Sequence, residues 1–249
     1  RAEVANHTKD AFLTNINHEF RTPMNAILGF SQMLLSYQTE NLNQEQKNSL
    51  EMIYKSGERL LHLVNTILDI SRIEAGKIKT HLMPFSLKQL VFDIEQMSKH
   101  LIYSEDVDFA IEFEAKLPDF FVSDVHKINK ILLNLVANAV KLTPQGKIKL
   151  KIFQQNKYLC FTVSDDGLGI PSEEIDHIFD EFYQLSRSDS EKFGGNGLGL
   201  SLAKKLTDLL GGQLRAESNL NGGSTFTLMV PFKVASPNEK IENFFASLW

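Results

Sequence analysis

The sequence predicts an α+β multidomain protein: an antiparallel helical hairpin, pairing into a dimeric four-helix bundle, followed by an α/β sandwich. Three observations carry that expectation. Two stretches before Gly76 place apolar residues at helical spacing. Beyond Gly76 the helical period gives way to alternating helix-like and strand-like runs. Three glycine-rich turns punctuate this second part, each beside the start or end of an expected element.

The first stripe runs Phe12, Ile16, Phe20, Ile27, Phe30 and Leu34; the second runs Leu50, Ile53, Leu60, Val64 and Ile67, with Leu61 and Leu68 beside it. The polar segment 37–43 between them is short enough to be the loop of an antiparallel pair. Two amphipathic helices cannot enclose their own stripes, so pairing with a second copy is the economical arrangement and a homodimer is expected. Packing of the hairpin on the rest of its own chain is the alternative. Residues 82–85 read as a linker. A helix over 86–102 follows, then strands over 107–115 and 120–123, and a helix over 124–141 closed by Thr143-Pro144-Gln145-Gly146. Strands over 147–154 and 158–164, a helix over 198–210, and strands over 213–217 and 224–231 complete the pattern. One layer of helices on one layer of strands is an α/β sandwich. The domain limits are 1–80 for the hairpin, 81–234 for the sandwich and 235–249 for a tail or linker, in which Ile241, Phe244, Phe245 and Leu248 fall at helical spacing.

With 26 basic against 31 acidic residues the net charge is -5, so no global basic field attracts nucleic acid or an anionic membrane. The single cysteine, Cys160, sits in the alternating run 158–163. A disulfide framework is excluded, a buried strand cysteine is the plain reading, and a cytoplasmic setting is expected. No apolar run approaches the ~20 residues that span a bilayer, so this segment is expected to be soluble and to make no membrane contact. It starts inside a helical pattern at Arg1, the mark of a piece of a longer protein whose sensor and any membrane anchor lie elsewhere.

Candidate chemistry begins at His18, which projects from the polar side of the first helix beside Glu19. Pro23 has no N–H for the carbonyl of Glu19, so the helix should loosen just past His18. An exposed histidine on a helix is usually plain surface, the reading kept for His7, His62, His81, His100, His126 and His177. His18 differs because Glu19 can hydrogen-bond one ring nitrogen and raise the nucleophilicity of the other. Thr22 shares its face and can position a water for the reverse chemistry. A second constellation is the polar stripe Lys127, Lys130, Asn134, Asn138 and Lys141, opposite Ile128, Leu132, Leu135 and Ala139. Solvated faces favour charges over asparagine, a fair helix former at best; an amide oxygen on Mg²⁺ with a lysine one turn on for phosphate is the better account.

The glycine boxes come third. Asp165-Asp166-Gly167-Leu168-Gly169-Ile170 ends a strand and fixes a carboxylate able to accept from an adenine amino group. Gly194-Gly195-Asn196-Gly197-Leu198-Gly199-Leu200 opens a helix whose bare N–H groups suit phosphates. Gly222-Gly223-Ser224-Thr225-Phe226 precedes the last strand.

With these boxes in this order, the chain resembles the sensor histidine kinases of two-component systems over residues 12–231. His18-Glu19-Phe20-Arg21-Thr22-Pro23 is similar to the phosphoacceptor box, residues 68–77 to the end of the dimerisation domain, residues 134–143 to the asparagine box and residues 178–183 to the phenylalanine box that begins the ATP lid. The resemblance implies a dimeric phosphoacceptor hairpin and a Bergerat-type ATP-binding sandwich. It implies ATP-dependent phosphorylation of His18 and transfer to an aspartate of a response-regulator receiver; phosphatase action on that receiver, with Thr22 as the key residue, is kept as an alternative emphasis. Mg²⁺ is implied at Asn138 with support from Asn134, phosphate at Lys141, and adenine at Asp165 with Gly167 and Gly169. Further ATP contacts are implied at Ile170, Phe182, Tyr183, Arg187, Gly195, Gly197, Leu198, Gly199, Leu200 and Thr225. The phrase around Met24 is similar to hybrid kinases.

Three positions depart from the family pattern. Leu142 replaces the usual aromatic residue, Asn196 stands where threonine is common, and Gln184 stands where many members carry a phosphate-binding arginine, with Arg187 or Lys192 as alternatives. Two rival readings remain. The related ATPases of the chaperone, topoisomerase and mismatch-repair group place a water-activating glutamate where this chain has Asn134, so hydrolysis is expected to be slow. A non-catalytic dimeric scaffold is opposed by the intact His18, Asn138, Asp165 and glycines.

Overall fold

The computed structural model describes residues 20–36, 42–102, 104, 106–114, 117–185, 196–218 and 222–234. The chain divides into two compact units, Arg1–Ile78 and Lys79–Trp249.

In the first unit, residues 20–36 form α1 and Gln44–Glu74 form α2. α2 starts at a reciprocal cap: the Gln46 N–H donates to the Asn43 side chain at 2.9 Å, and the Asn43 N–H donates to the Gln46 side chain at 2.9 Å. Such caps contribute about 1 kcal/mol. It stops at Ala75 and Gly76, where a φ of +65° breaks the helical path. Arg21 meets Asn65 at 3.4 Å and Leu28 meets Gly57, so the two helices run antiparallel. A Cβ on Gly57 would lie 3.0 Å from Leu28 Cδ2 and 3.2 Å from Met24 Cε, which is what lets the backbones approach. Much of both stripes stays outside this contact. Phe20, Ile27, Phe30, Leu34, Ile53, Leu60 and Ile67 are 37% to 64% exposed.

The second unit opens with β1 (Met83–Ser86), which runs straight into α3 (Leu87–Leu101), capped by the Ser86 hydroxyl on the Gln89 N–H. Then come β2 (Val107–Phe113), β3 (Phe120–Ser123), α4 (Val125–Leu142), β4 (Gly146–Gln155) and β5 (Tyr158–Asp165). α5 (Gly199–Leu209), β6 (Gln213–Ser218), β7 (Ser224–Pro231) and β8 (Lys233–Val234) complete the order. Five strands form one sheet, β2-β4-β5-β7-β6, parallel between β2 and β4 and antiparallel elsewhere. A small antiparallel sheet, β1-β3-β8, stands apart from it.

One face of the large sheet is covered by helices. Leu150 and Ile152 of β4, Leu159, Phe161 and Val163 of β5, and Leu228 and Val230 of β7 share that face and are fully buried, as are Ile128, Ile131, Leu132 and Leu135 of α4 packed on β4 and β5. Strand alternation and helical spacing thus point into one core. Phe161→Ala would cost ~3–5 kcal/mol.

One expectation needs correction. Residues 82–85, read as a linker, contain most of β1. Pro84 lowers the strand signal, yet β1 lies at the edge of its small sheet, where a residue without an N–H is tolerated.

Candidate nucleotide site

β5 delivers Asp165 to the helix-covered face because it shares the parity of Phe161 and Val163. Asp165 is 6% exposed and needs donors at that depth. Its Oδ1 accepts the N–H groups of Gly167 at 2.9 Å and Ser224 at 3.3 Å, and its Oδ2 accepts the Ser224 hydroxyl at 2.5 Å. The turns on either side of this pair leave room only for glycine at 167 and 223. A Cβ on Gly167 would lie 2.4 Å from the Leu142 carbonyl oxygen, and one on Gly223 would lie 1.8 Å from that of Asp165. The Leu168 N–H donates to the Leu142 carbonyl at 3.2 Å, tying the loop to the end of α4. On the other side the Ser218 hydroxyl accepts the Ile170 N–H at 2.7 Å and donates to the Gly223 carbonyl at 2.7 Å. The loop carrying Gly167, Gly169 and Ile170 is therefore held between α4, β6 and β7.

α4 presents the half-buried row of Asn134, Asn138 and Lys141. The Asn134 amide donates to the Lys130 carbonyl at 2.9 Å, one turn back, which leaves its oxygen facing away from its own helix. That oxygen is 3.1 Å from where a Gly199 Cβ would stand, so α4 meets the first turn of α5 there. No side chain caps α5, and Asn196 Oδ1 instead takes the Leu198 N–H at 3.1 Å. The N–H groups of the α5 first turn make a positive end suited to an anion.

Residues 171–185 cross over this end. The Phe182 N–H donates to the Gly197 carbonyl at 3.0 Å, and Phe182 takes φ +62°, unusual for a side chain of that size. Gly197 must be glycine, because its Cβ would lie 2.5 Å from the Phe182 carbonyl carbon. Lys205 of α5 reaches Glu181 at 3.1 Å. The Tyr183 hydroxyl donates to Glu174 at 3.1 Å; burial and then the Glu174 carboxylate push its phenol up from the ordinary value. These contacts hold Phe182 and Gly197 together at the start of α5. The site thus offers a buried carboxyl at one end, helix N–H groups at the other, and amide and ammonium groups along α4 between them, a layout for a base, its phosphates and their counter-ion.

Residues 8–76 match the family model described as His Kinase A (phospho-acceptor) domain, and residues 123–234 match the model described as Histidine kinase-, DNA gyrase B-, and HSP90-like ATPase. The chain belongs to the sensor histidine kinases. This histidine kinase is 37% identical to the circadian input-output histidine kinase CikA of Synechococcus elongatus over 97% of its own length and 33% of the relative's. It is 38% identical to the autoinducer 2 sensor kinase/phosphatase LuxQ of Vibrio harveyi over 93% of its length and 27% of that protein. It thus spans about a third or less of the curated relatives it matches. Among solved structures it resembles full-length ShkA in complex with AMPPNP, with a TM-score of 0.76 and 30% identity, covering 91% of this chain and 46% of that one. The likeness to the Acinetobacter baumannii histidine kinase AdeS, TM-score 0.61 at 20% identity, shows the fold alone. The helical hairpin and the mixed sandwich are the phosphoacceptor and Bergerat-type parts of this family, and the sandwich is an ATP-binding one. No helix among the described residues is long and apolar enough to cross a membrane.

Most of the candidate residues of this histidine kinase fall on the three elements just described. Leu198 and Ile170 are buried, at 0% and 3% exposure, so they meet a ligand through their backbone or not at all. Thr22 is exposed near the described start of α1. His18, Glu19, Arg187, Lys192 and Gly195 lie outside the described residues, and with them the Glu19 carbonyl at which the helix is expected to loosen; from residue 20 on the chain is helical through Pro23. Thr225 points away from Asp165, alternating to the other face of β7, and Ser224 stands in the place expected of it. The signal for Ser224 is present in the sequence: it shares the parity of Phe226, Leu228 and Val230.

Proposed function

We propose that this kinase core uses ATP to phosphorylate its own His18 and passes the phosphoryl group to an aspartate of a response-regulator receiver domain. The observation that carries this reading is the buried Asp165 carboxyl, held by three donors at the end of β5 beside a turn that admits only glycine at 167. Asp165 takes the adenine amino group, with the backbone of Gly167, Gly169 and Ile170 against the base and Phe182 and Tyr183 as walls. Lys141, Arg187 and the N–H groups of Gly195, Gly197, Gly199 and Leu200 hold phosphates, and Leu198, whose own N–H is taken by Asn196, fixes the turn that presents them. Turns that admit no Cβ at Gly167 and Gly197 let a nucleotide approach the backbone closely, and the first-turn N–H groups of α5 face an anion; in these respects the residues fit ATP. Among the described residues no cluster of three carboxylate, histidine or cysteine ligands converges, so a divalent cation would depend on phosphate oxygens and an amide. Asn138, supported by Asn134, would hold Mg²⁺ in that way, and the bound ion supplies charge neutralisation on the phosphates.

In the transfer, a ring nitrogen of His18 bonds to the γ-phosphorus while the bond from that phosphorus to the β–γ bridging oxygen breaks. ADP leaves and Glu19 takes the ring proton. Catalysis by the chain is then positioning and electrostatics. Residues 1–80 act as the dimerisation and phosphoacceptor domain and 81–234 as the catalytic domain, with 235–249 a tail. The exposed apolar stripes of α1 and α2 support a homodimer through a four-helix bundle. Thr22 serves the reverse chemistry on a receiver, a reading supported by the likeness to a relative named a sensor kinase/phosphatase. The working compartment is the cytoplasm, and nucleic acid is no partner.

The test is incubation with Mg²⁺ and γ-labelled ATP. The expected product carries label that survives alkali, is lost in acid, and is absent from His18→Gln. Label retained in His18→Gln, or none in a chain that binds nucleotide, overturns the reading.

A further inference from the structure

The start of α4 holds a buried ion pair that the nucleotide site does not use. Asp124 is 1% exposed and caps α4 by accepting the Lys127 N–H on Oδ1 at 3.1 Å. Its Oδ2 takes two more donors, the Lys127 ammonium and, at 2.9 Å, the His81 N–H. The same ammonium donates to the Lys79 carbonyl at 3.0 Å. A helix cap needs only the first of these bonds. The other three fasten the backbone of residues 79–81 to the first turn of the helix that carries Asn134, Asn138 and Lys141. A buried pair of this kind contributes little net stability, because desolvation offsets the attraction; its best-attested use is to specify one arrangement.

The chain arrives at this clasp almost directly from α2. The last turn of α2 gives way at Gly76, which has φ +65° and nothing within 4 Å of an added Cβ. The Gly76 and Lys77 N–H groups still donate to the Ile73 and Arg72 carbonyls at 2.9 and 3.0 Å, so residue 78 alone separates the end of α2 from Lys79. Without the clasp, the next hold on the chain is β1, where Met83 pairs with Ser123.

We propose that Asp124 and Lys127 are positioning residues for phosphoryl transfer: by clasping residues 79–81 onto α4 they set the length of the tether between the phosphoacceptor unit and the nucleotide-binding unit. The proposal rests on the autophosphorylation reading above. Releasing the clasp lengthens the tether from one residue, 78, to five, 78–82. The local concentration of one tethered group around another falls with roughly the −3/2 power of tether length, so the transfer rate should fall roughly tenfold. Nucleotide affinity should not change, since none of the clasp bonds reaches Asp165, Asn138 or Lys141.

Lys127→Met keeps the aliphatic stem and removes the ammonium. It leaves Asp124 buried without a cation, so Asp124→Asn/Lys127→Met is made alongside it, and Lys127→Arg serves as the conservative variant. Two readouts are taken on the full chain: tryptic cleavage after Lys77 and Lys79, and single-turnover labelling at saturating ATP beside the dissociation constant of a fluorescent ATP analogue. Expected are faster cleavage and roughly tenfold slower labelling in both methionine variants, an unchanged dissociation constant, and recovery of the rate in Lys127→Arg. Unchanged cleavage shows that there is no clasp to release and overturns the proposal. An unchanged labelling rate overturns it too, and so does a parallel loss of rate and nucleotide affinity, which would make the pair a prop of α4. Absence of label from the unsubstituted chain is distinct from all of these: it overturns the autophosphorylation reading, and the proposal with it.

Discussion

The Ser224 hydroxyl donates to the Asp165 carboxyl at 2.5 Å, and the two residues are direct partners across the β5–β7 ladder. The first residue of one strand therefore orients the last residue of its neighbour, and the acceptor assigned to the adenine amino group has one rotamer. Ser224→Ala removes that donor inside a buried site. A lost hydrogen bond of this type is worth about 1 kcal/mol, so nucleotide affinity should fall roughly fivefold. Thr225→Ala, on the opposite face, should leave it unchanged. Titration of both variants with a fluorescent nucleotide decides the matter, and equal effects would count against the geometry.

Gly223 and Gly211 both take left-handed backbone, with φ +76° and +68°, but only the first is crowded. An added Cβ meets the Asp165 carbonyl oxygen at 1.8 Å at Gly223, whereas at Gly211 the nearest atom is a Pro231 ring carbon at 3.9 Å. Gly211→Ala should cost only the left-handed penalty, ~1–2 kcal/mol. Gly223→Ala should cost well beyond that and weaken nucleotide binding as well, because the backbone of Asp165 has to move. Chemical denaturation midpoints of the two variants measure the difference.

The hairpin glycines separate in the same way. Gly29 sits in α1 with nothing within 4 Å of an added Cβ, while Gly57 sits in α2 against Leu28 and Met24. Gly29→Ala should stabilise by ~0.5–1 kcal/mol through helix propensity. Gly57→Ala should gain less or lose stability, since Leu28 and Met24 must shift. Thermal unfolding monitored at helical wavelengths gives both signs.

Acid should loosen the start of α4. Burial raises the Asp124 carboxyl, but the Lys127 side chain and the N–H groups of His81 and Lys127 outweigh it and hold the value below the ordinary 3.8. A carboxyl lowered in the folded state stabilises above its unfolded value, and that contribution disappears as pH falls through the folded one. Urea midpoints of the unsubstituted chain and of Asp124→Asn should therefore differ at neutral pH and converge below about pH 4, near the unfolded carboxylate value. A constant gap across that range would show that charge on Asp124 is not involved.

Much of this architecture was legible before any coordinates. The helices over 86–102, 124–141 and 198–210 and the strands around Asp165 follow from periodicity, because each buries one stripe or one parity of residues in the same core. β1 was hidden by Pro84, and β8, of two residues, is too short to carry a pattern. The parallel pairing of β2 with β4 is a long-range choice that no local signal encodes. Within the site, Asp165 and its glycines stood out by composition. Ser224 did not, since reading it demanded the register of β7 against β5 as well as the box it belongs to. The bonds from Lys127 and Asp124 to residues 79–81 cross more than forty positions, and the helical stripe that picked out Lys127 says nothing of them.

The neighbour of β5 in the large sheet is β7, some sixty residues further along the chain. A ribosome delivers residues in order. The central strand of the catalytic domain must wait, one edge unpaired, while residues 166–223 emerge, and the Asp165 carboxyl has no hydroxyl partner until Ser224 follows. Nucleotide can therefore act as a folding ligand for this domain only at the very end of its synthesis. A messenger cut short before β7 leaves a chain with a complete asparagine row, a complete α5 and no finished pocket.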